Sequence, residues 1–210
     1  MSEDKNTDAL LAVAAILREC QSSQKRAVLK RNVGETLETA KNVSWFYYLA
    51  YRHEKFSNSL LFLAATLIAQ DKKTIEAFGK AEKVPGGPRN LGATLDLLER
   101  LDDSDAHKKR LMIKPDPARR ESRYERRLRL LLDADLERDG SGELTFRLRQ
   151  CVTIVLQKDG LINWPQLLAD IDRWGLPSKS VQKEWAKAFY GSAPSDDTNT
   201  NHDAPDGEKE

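Results

Sequence analysis

The sequence is poor in the residues from which catalytic and metal sites are usually built. It has three histidines, His53, His107 and His202, and two cysteines, Cys20 and Cys151, and their spacing matches no zinc-binding pattern. The glycines of "PGGPR" follow no predicted strand and lack the spacing of a phosphate-binding loop. We therefore expect a protein without enzymatic activity, without a metal ion and without a cofactor.

Strand signals and long apolar runs are also scarce. Alternating β-branched and aromatic residues hardly occur, whereas Leu, Ala, Lys, Arg and Glu dominate, which predicts an all-α fold. The longest apolar run, "LLFLAATLIA" at 60–69, has about half the length that a bilayer span requires, and it is predicted to be a central buried helix. The N-terminal residues do not resemble a secretory signal. We expect a cytoplasmic protein with reduced thiols and no membrane partner.

One break divides the chain into two helical halves. In "KAEKVPGGPRN", Pro85 and Pro88 interrupt any helix, and Asn90 is suited to cap the next one. The sequence thus predicts a two-part helical bundle, with an N-terminal half at 1–84 and a C-terminal half at 85–190.

The positive and negative charges are unevenly distributed, although the net charge is only +1. Residues 191–210 contain six acidic residues and one lysine among Asp, Asn, Thr, Pro, Ser and Gly, a composition that predicts a disordered acidic tail. The remaining 190 residues are correspondingly basic, with 33 bases and 27 acids. A basic helical body is compatible with a polyanionic partner.

Two segments carry predictions about the core. The first helix is expected from about residue 8 to Cys20, with its buried face formed by Leu10, Leu11, Ala14 and Leu17. The segment "LINWPQLLADIDRWG" holds two tryptophans that could form either a base-stacking platform or part of the core. Because Trp174 shares one helical face with two apolar residues of this segment, we expect Trp174 and Trp164 to be core residues.

A partial match to a calcium-binding loop is rejected. The stretch "DLERDGSGELTF" has acidic residues at loop positions one, three and five and Gly140 at position six, but Phe146 stands where the bidentate glutamate is required. This stretch is predicted to be a polar turn between helices.

The strongest basic signal is "ARRESRYERRLRLLLDA", which has six arginines between residues 119 and 129. At 100° per residue, Arg119, Arg123, Arg126 and Arg127 share one helical face, roughly opposite an apolar one. Such a face is either a solvated charged surface or a phosphate-binding one, for which arginine is well suited. Two further basic groups favour the second interpretation. The first consists of Lys25, Arg26, Lys30 and Arg31, and the second consists of Lys72, Lys73, Lys80, Lys83 and Arg89.

Five blocks of the sequence, in this order, resemble one family: CasB, the small subunit of the type I-E CRISPR Cascade surveillance complex. The blocks are "RAVLKRNVGETLETAKNVSWFYYLA" (26–50), "RNLGATLDLLERL" (89–101), "YERRLRLLLDAD" (124–135), "LTFRLRQCVTIV" (144–155) and "INWPQLLADIDRWG" (162–175). The blocks are spread over most of residues 10–190, from residue 26 to residue 175, whereas the insert at 102–122 and the acidic tail have no counterpart in the family.

The resemblance implies a non-catalytic, two-part helical subunit for antiviral defence. Family members sit as a pair along the inner side of the complex and contact the large subunit, the backbone subunits and the guide RNA. They help to hold target DNA and the displaced strand of the R-loop once the guide has paired, while base pairing itself reads the sequence. The alternative is a helical scaffold or adaptor that only bridges protein subunits.

The resemblance and the basic groups together predict ten nucleic-acid-binding residues. The family's basic positions fall on Lys30, Arg31, Arg126, Arg127 and Arg149, and within a residue or two of Lys55; Gln150 stands where a second arginine is often expected after Arg149. The basic groups add Arg123, Lys80, Lys83 and Arg89.

Overall fold

A computed structural model describes residues 2–102, 104, 121–137 and 142–191. Within these residues the chain forms ten helices and no strand, which confirms the all-α prediction. The helices are α1 (Ser2–Cys20), α2 (Ser23–Arg31), α3 (Ser44–Arg52), α4 (Asn58–Ile68), α5 (Lys72–Ala81), α6 (Leu91–Asp102), α7 (Arg123–Leu132), α8 (Gly142–Gln157), α9 (Trp164–Asp172) and α10 (Ser180–Tyr190).

Most helices begin at a residue whose side chain can accept a backbone hydrogen bond. Ser57, Asp71, Ser122 and Asn163 cap α4, α5, α7 and α9, each accepting from the N–H three residues further on. Asn90 accepts from Ala93 in the same way at the start of α6, as predicted. The helices that follow the chain breaks therefore start at residues whose own side chains cap them.

Helix α4 forms the centre of the core. All residues from Leu60 to Ala69 are buried, which confirms the prediction of a central buried helix. Around it pack α1, α2, α3, α8 and α9. No helix of the described residues is both long and apolar enough to cross a bilayer.

Helix α1 differs from its prediction in its start and in its buried face. It begins at Ser2, and Leu10 and Leu11 are 44% and 56% exposed, so the predicted face is wrong at both positions. The helix buries Val13 and Ile16 instead, together with Leu17, and packs against α9 and α4. Because the helix has apolar residues on more than one stripe, its orientation is decided by the helices against which it packs.

Both tryptophans of the "LINWPQLLADIDRWG" segment lie in the core, as predicted. Trp164 is 1% exposed and Trp174 is 2% exposed. The Trp164 indole donates to the Asp71 carboxylate over 2.9 Å, and the Trp174 indole donates to the Ala134 carbonyl over 2.9 Å. The segment therefore links α9 to the start of α5 and to the chain that follows α7.

The buried apolar side chains form one continuous cluster that includes residues of both predicted halves. The division at residue 84 stays a prediction about folding units. Most of the insert at 102–122, the predicted tail beyond Gly191 and residues 138–141 of the polar turn lie outside the described residues.

Candidate nucleic-acid interface

Helix α7 turns an apolar stripe inward and its arginines outward. Tyr124, Leu128 and Leu131 recur at helical spacing and are fully buried, as predicted. Arg126 lies on the opposite, exposed face, and no carboxylate of the described residues pairs with it. Among the described residues, the guanidinium of Arg126 is therefore available to a partner.

Arg123 is held in place by a neighbouring carboxylate. Its guanidinium pairs with Asp102 and hydrogen-bonds the Tyr124 hydroxyl over 2.8 Å. Lys158 also pairs with Asp102, over 2.9 Å. Hydrogen bonds from Tyr124, Lys158 and Arg123 hold the pKa of Asp102 at about 2, so this carboxylate stays ionised at neutral pH. One negative charge therefore positions two cations without neutralising both.

A basic cleft of about 380 Å³ opens between α7 and α8. Four cationic side chains line it, and none of the described lining residues is acidic. The lining consists of Arg123, Arg127, Phe146, Arg149, Gln150, Thr153, Ile154, Gln157 and Lys158. Such a concentration of positive charge attracts phosphate groups. We call this feature the α7/α8 cleft.

Arg149 joins the α7/α8 cleft to the loop that follows α2. Its guanidinium packs on Gly34, where a Cβ would lie only 2.1 Å from Nη1. Gly34 also has a φ of 92°, which glycine adopts without strain. The backbone conformation therefore favours glycine at this position, and the guanidinium of Arg149 occupies the space that a Cβ would need.

Lys30 and Arg31 lie in the last turn of α2, directly before this loop, and both are exposed. Lys30 lines a second concave surface of about 450 Å³ together with Arg26 and Lys72. Glu76 lies there too and pairs with Lys72 over 3.5 Å. This surface carries a smaller excess of positive charge than the α7/α8 cleft.

The structure places the other predicted residues elsewhere. Lys55 lines a different cleft, of about 520 Å³, and pairs with Asp8 over 2.6 Å. Lys80 lies in the last turn of α5, and Lys83 and Arg89 lie in the loop that follows. These three residues are exposed and line none of the clefts described above.

Three of the ten predicted residues line the α7/α8 cleft: Arg123, Arg127 and Arg149. Sequence reasoning missed Lys158, which completes the lining. Lys158 directly follows α8, and its spacing of four residues from Ile154 and eight from Gln150 is the signal that could have identified it.

Nucleophilic and metal-binding groups are not grouped in the described part of the chain. No cluster of three His, Cys, Asp or Glu side chains there could hold a metal ion. Cys20 and Cys151 are free and buried, and desolvation raises the pKa of each thiol to about 12. These thiols are therefore protonated and shielded from solvent.

Comparison with known proteins places the chain among CRISPR-associated proteins. Residues 25–190 match the family model for CRISPR-associated protein Cse2. The chain therefore belongs to the Cse2 family, whose members are also named CasB. The curated Cse2 of Thermus thermophilus is 38% identical over 73 residues, a match that spans 35% of this chain and 38% of that protein.

Two solved structures share the fold. The M. ruber CasB crystal structure has a TM-score of 0.59 at 26% identity and covers 84% of this chain and 91% of its own. The structure of a Cse2-family CRISPR-associated protein from Thermus thermophilus has a TM-score of 0.51 at 23% identity. The match covers 84% of this chain and 96% of that one. The family resemblance read from the sequence is confirmed.

Proposed function

We propose that this chain is a non-catalytic structural subunit of the type I-E CRISPR Cascade complex and grips nucleic-acid backbone without reading its sequence. In this role it stabilises the pairing of guide RNA with target DNA and holds the displaced strand of the R-loop during antiviral defence. Its other partners are the large subunit, the backbone subunits and a second copy of itself, in the cytoplasm.

The observation that carries the proposal is the charge of the α7/α8 cleft. Arg127 and Arg149 have no carboxylate partner among the described residues, and Arg123 and Lys158 share Asp102. Guanidinium groups offer several donors in a fixed plane and bind phosphate oxygens in pairs. Backbone contacts of this kind fix position without reading bases. The cations at Lys30, Arg31, Lys55, Lys80, Lys83 and Arg89 extend the proposed path across the surface.

The proposal is tested by removing the two arginines of α7 that pair with no described carboxylate. The variant Arg126→Gln/Arg127→Gln is expected to bind single-stranded DNA more weakly. It neutralises fewer phosphates than the unmodified protein, and its binding therefore releases fewer counterions. For two contacts, the slope of log affinity against log salt should fall by about 1.4 for a single strand. Affinity is measured by fluorescence anisotropy of a labelled oligonucleotide across a salt series.

The matched control is Lys183→Gln/Lys187→Gln, which removes the same charge from exposed positions of α10 outside the clefts described. Its salt slope should stay close to that of the unmodified protein. Equal slopes for the two double variants would show that α7 makes no specific phosphate contact. The same pair of variants is then assayed in the assembled complex.

A second candidate, a protein adaptor, is favoured by exposed aromatic side chains on α3. Tyr47, Tyr48 and Tyr51 are 49%, 69% and 75% exposed, and exposed tyrosines are common at protein interfaces. An adaptor predicts that Tyr48→Ser/Tyr51→Ser weakens incorporation into the complex, while the α7 arginine variant leaves both incorporation and DNA binding unchanged. The nucleic-acid-gripping role predicts that the α7 arginine variant loses DNA binding, whether or not the tyrosine variant is incorporated into the complex.

A further inference from the structure

The acidic C-terminal segment begins beside the arginine helix. Helix α10 ends at Tyr190, and the N–H of Gly191 closes it by donating to the Lys187 carbonyl over 2.8 Å. Helix α10 packs against α7, and Tyr190 lies within electrostatic range of Arg129. The chain therefore leaves the fold next to α7.

The charges of this segment and of α7 are complementary. Residues 192–210 contain six carboxylates and one lysine; the acids are Asp196, Asp197, Asp203, Asp206, Glu208 and Glu210. On α7, Arg129 is already paired with Glu121 over 2.8 Å. Arg126 and Arg127, in contrast, have no carboxylate partner among the described residues. The composition of the segment thus complements the charge of these two arginines.

The length of the segment is sufficient for contact. A chain spans at most about 3.5 Å per residue, so Asp196 can lie up to about 17 Å from Gly191. Helix α7 has ten residues and is about 15 Å long. The first acidic pair can therefore reach the arginines along α7, and the four later acids can reach further into the α7/α8 cleft.

We infer that the acidic segment 192–210 binds the arginine face of α7 and competes there with nucleic-acid backbone. The contact itself requires only the chain described here, whereas the competition rests on the proposed function. Because the segment is tethered, it is present at high local concentration and disfavours weak, non-specific polyanions. An extended target that contacts additional cations can displace it.

The competition is tested with a full-length variant whose six acids are replaced by their amides. The variant is Asp196→Asn, Asp197→Asn, Asp203→Asn, Asp206→Asn, Glu208→Gln and Glu210→Gln. At about 50 mM salt it should bind a single-stranded oligonucleotide about three- to ten-fold more tightly, as expected when one or two exposed ion pairs are removed. This gain should disappear when Arg126→Gln/Arg127→Gln is present as well. An unchanged affinity in the amide variant, or a gain that persists without the two arginines, would overturn the competition.

The contact is tested directly, without nucleic acid, by a fluorophore attached to Ser195→Cys. The two native thiols are buried, so the new thiol is labelled selectively. The reporter's anisotropy should fall when salt is raised, and it should be low at all salt concentrations in the Arg126→Gln/Arg127→Gln background. If the anisotropy is the same with and without these two arginines, the contact is refuted. If the protein binds no oligonucleotide, the proposed function fails, but the reporter still decides whether the segment binds α7.

Discussion

Replacing Trp164 by Phe tests the buried hydrogen bond that ties α9 to α5. The indole donates to Asp71 over 2.9 Å, and the two residues are 1% and 5% exposed. The other oxygen of Asp71 accepts from the Thr74 N–H over 2.9 Å and caps α5. Phenylalanine leaves one oxygen of a buried carboxylate without its donor. Hydrogen bonds to charged groups contribute about 1.5–3 kcal/mol, so the loss should lie in this range before any packing cost.

Trp174→Phe provides a matched control for that substitution. Trp174 is 2% exposed, and it donates over 2.9 Å to a neutral acceptor, the Ala134 carbonyl. A neutral hydrogen bond contributes about 0.5–1.5 kcal/mol. Because both variants shrink the same ring in a buried site, the packing cost is similar and largely cancels in the comparison. Trp164→Phe should therefore cost about 1 kcal/mol more than Trp174→Phe.

The measurement is equilibrium unfolding in urea, followed by far-ultraviolet circular dichroism. A double-mutant cycle of Trp164→Phe with Asp71→Ala should give a coupling free energy of about 1.5 kcal/mol or more. An equal or larger cost for Trp174→Phe, or a coupling close to zero, would refute the assigned role of the Trp164–Asp71 hydrogen bond.

Three further outcomes follow from the geometry near the cleft and the core. The pKa of Asp102 is about 2, below its ordinary value of 3.8. Its ionised form therefore stabilises the fold above about pH 4, and this contribution is lost as the pH falls through about 2. Tyr124→Phe removes a hydrogen bond to this carboxylate and should raise its pKa, as measured by carboxyl NMR. Gly34→Ala should destabilise the fold by about 1–3 kcal/mol in urea unfolding, and Arg149→Ala should remove the steric part of that cost but not the part due to φ. Gly92→Ala should cost about 1–3 kcal/mol by the same assay, because its Cβ would lie 2.2 Å from a carbonyl oxygen of α10.

The starts of α6 and α9 could be predicted from the sequence because local chemistry determines them. Asn163 caps α9 through its own side chain, and Asn90 caps α6 in the same way. The apolar run at 60–69 is hydrophobic on all sides and can only be buried. Leu10 and Leu11 could not be placed in this way, because the exposed stripe of α1 is chosen by its contacts with α9 and α4.

The α7/α8 cleft could be predicted only in part, because it is formed by tertiary packing. The arginines of α7 are visible as a cluster in the sequence, but their relation to Arg149 depends on how α7 and α8 pack. Lys158 and Asp102 are 56 residues apart and meet only in the folded chain. Charge clustering along the sequence also assigned Lys80, Lys83 and Arg89 to the interface, whereas the structure places them outside this cleft.

The position of α7 depends on contacts that lie away from its arginine face. Ser122 hydrogen-bonds the buried Glu99 of α6, and Tyr124 hydrogen-bonds Asp102 at the end of the same helix. Trp174 holds the carbonyl of Ala134, just beyond the end of α7. The groups that orient the helix are therefore distinct from the exposed Arg126. Substituting Arg126 should change binding with little change in the free energy of unfolding, whereas Trp174→Phe should change both, and this separation distinguishes a direct phosphate contact from a structural effect.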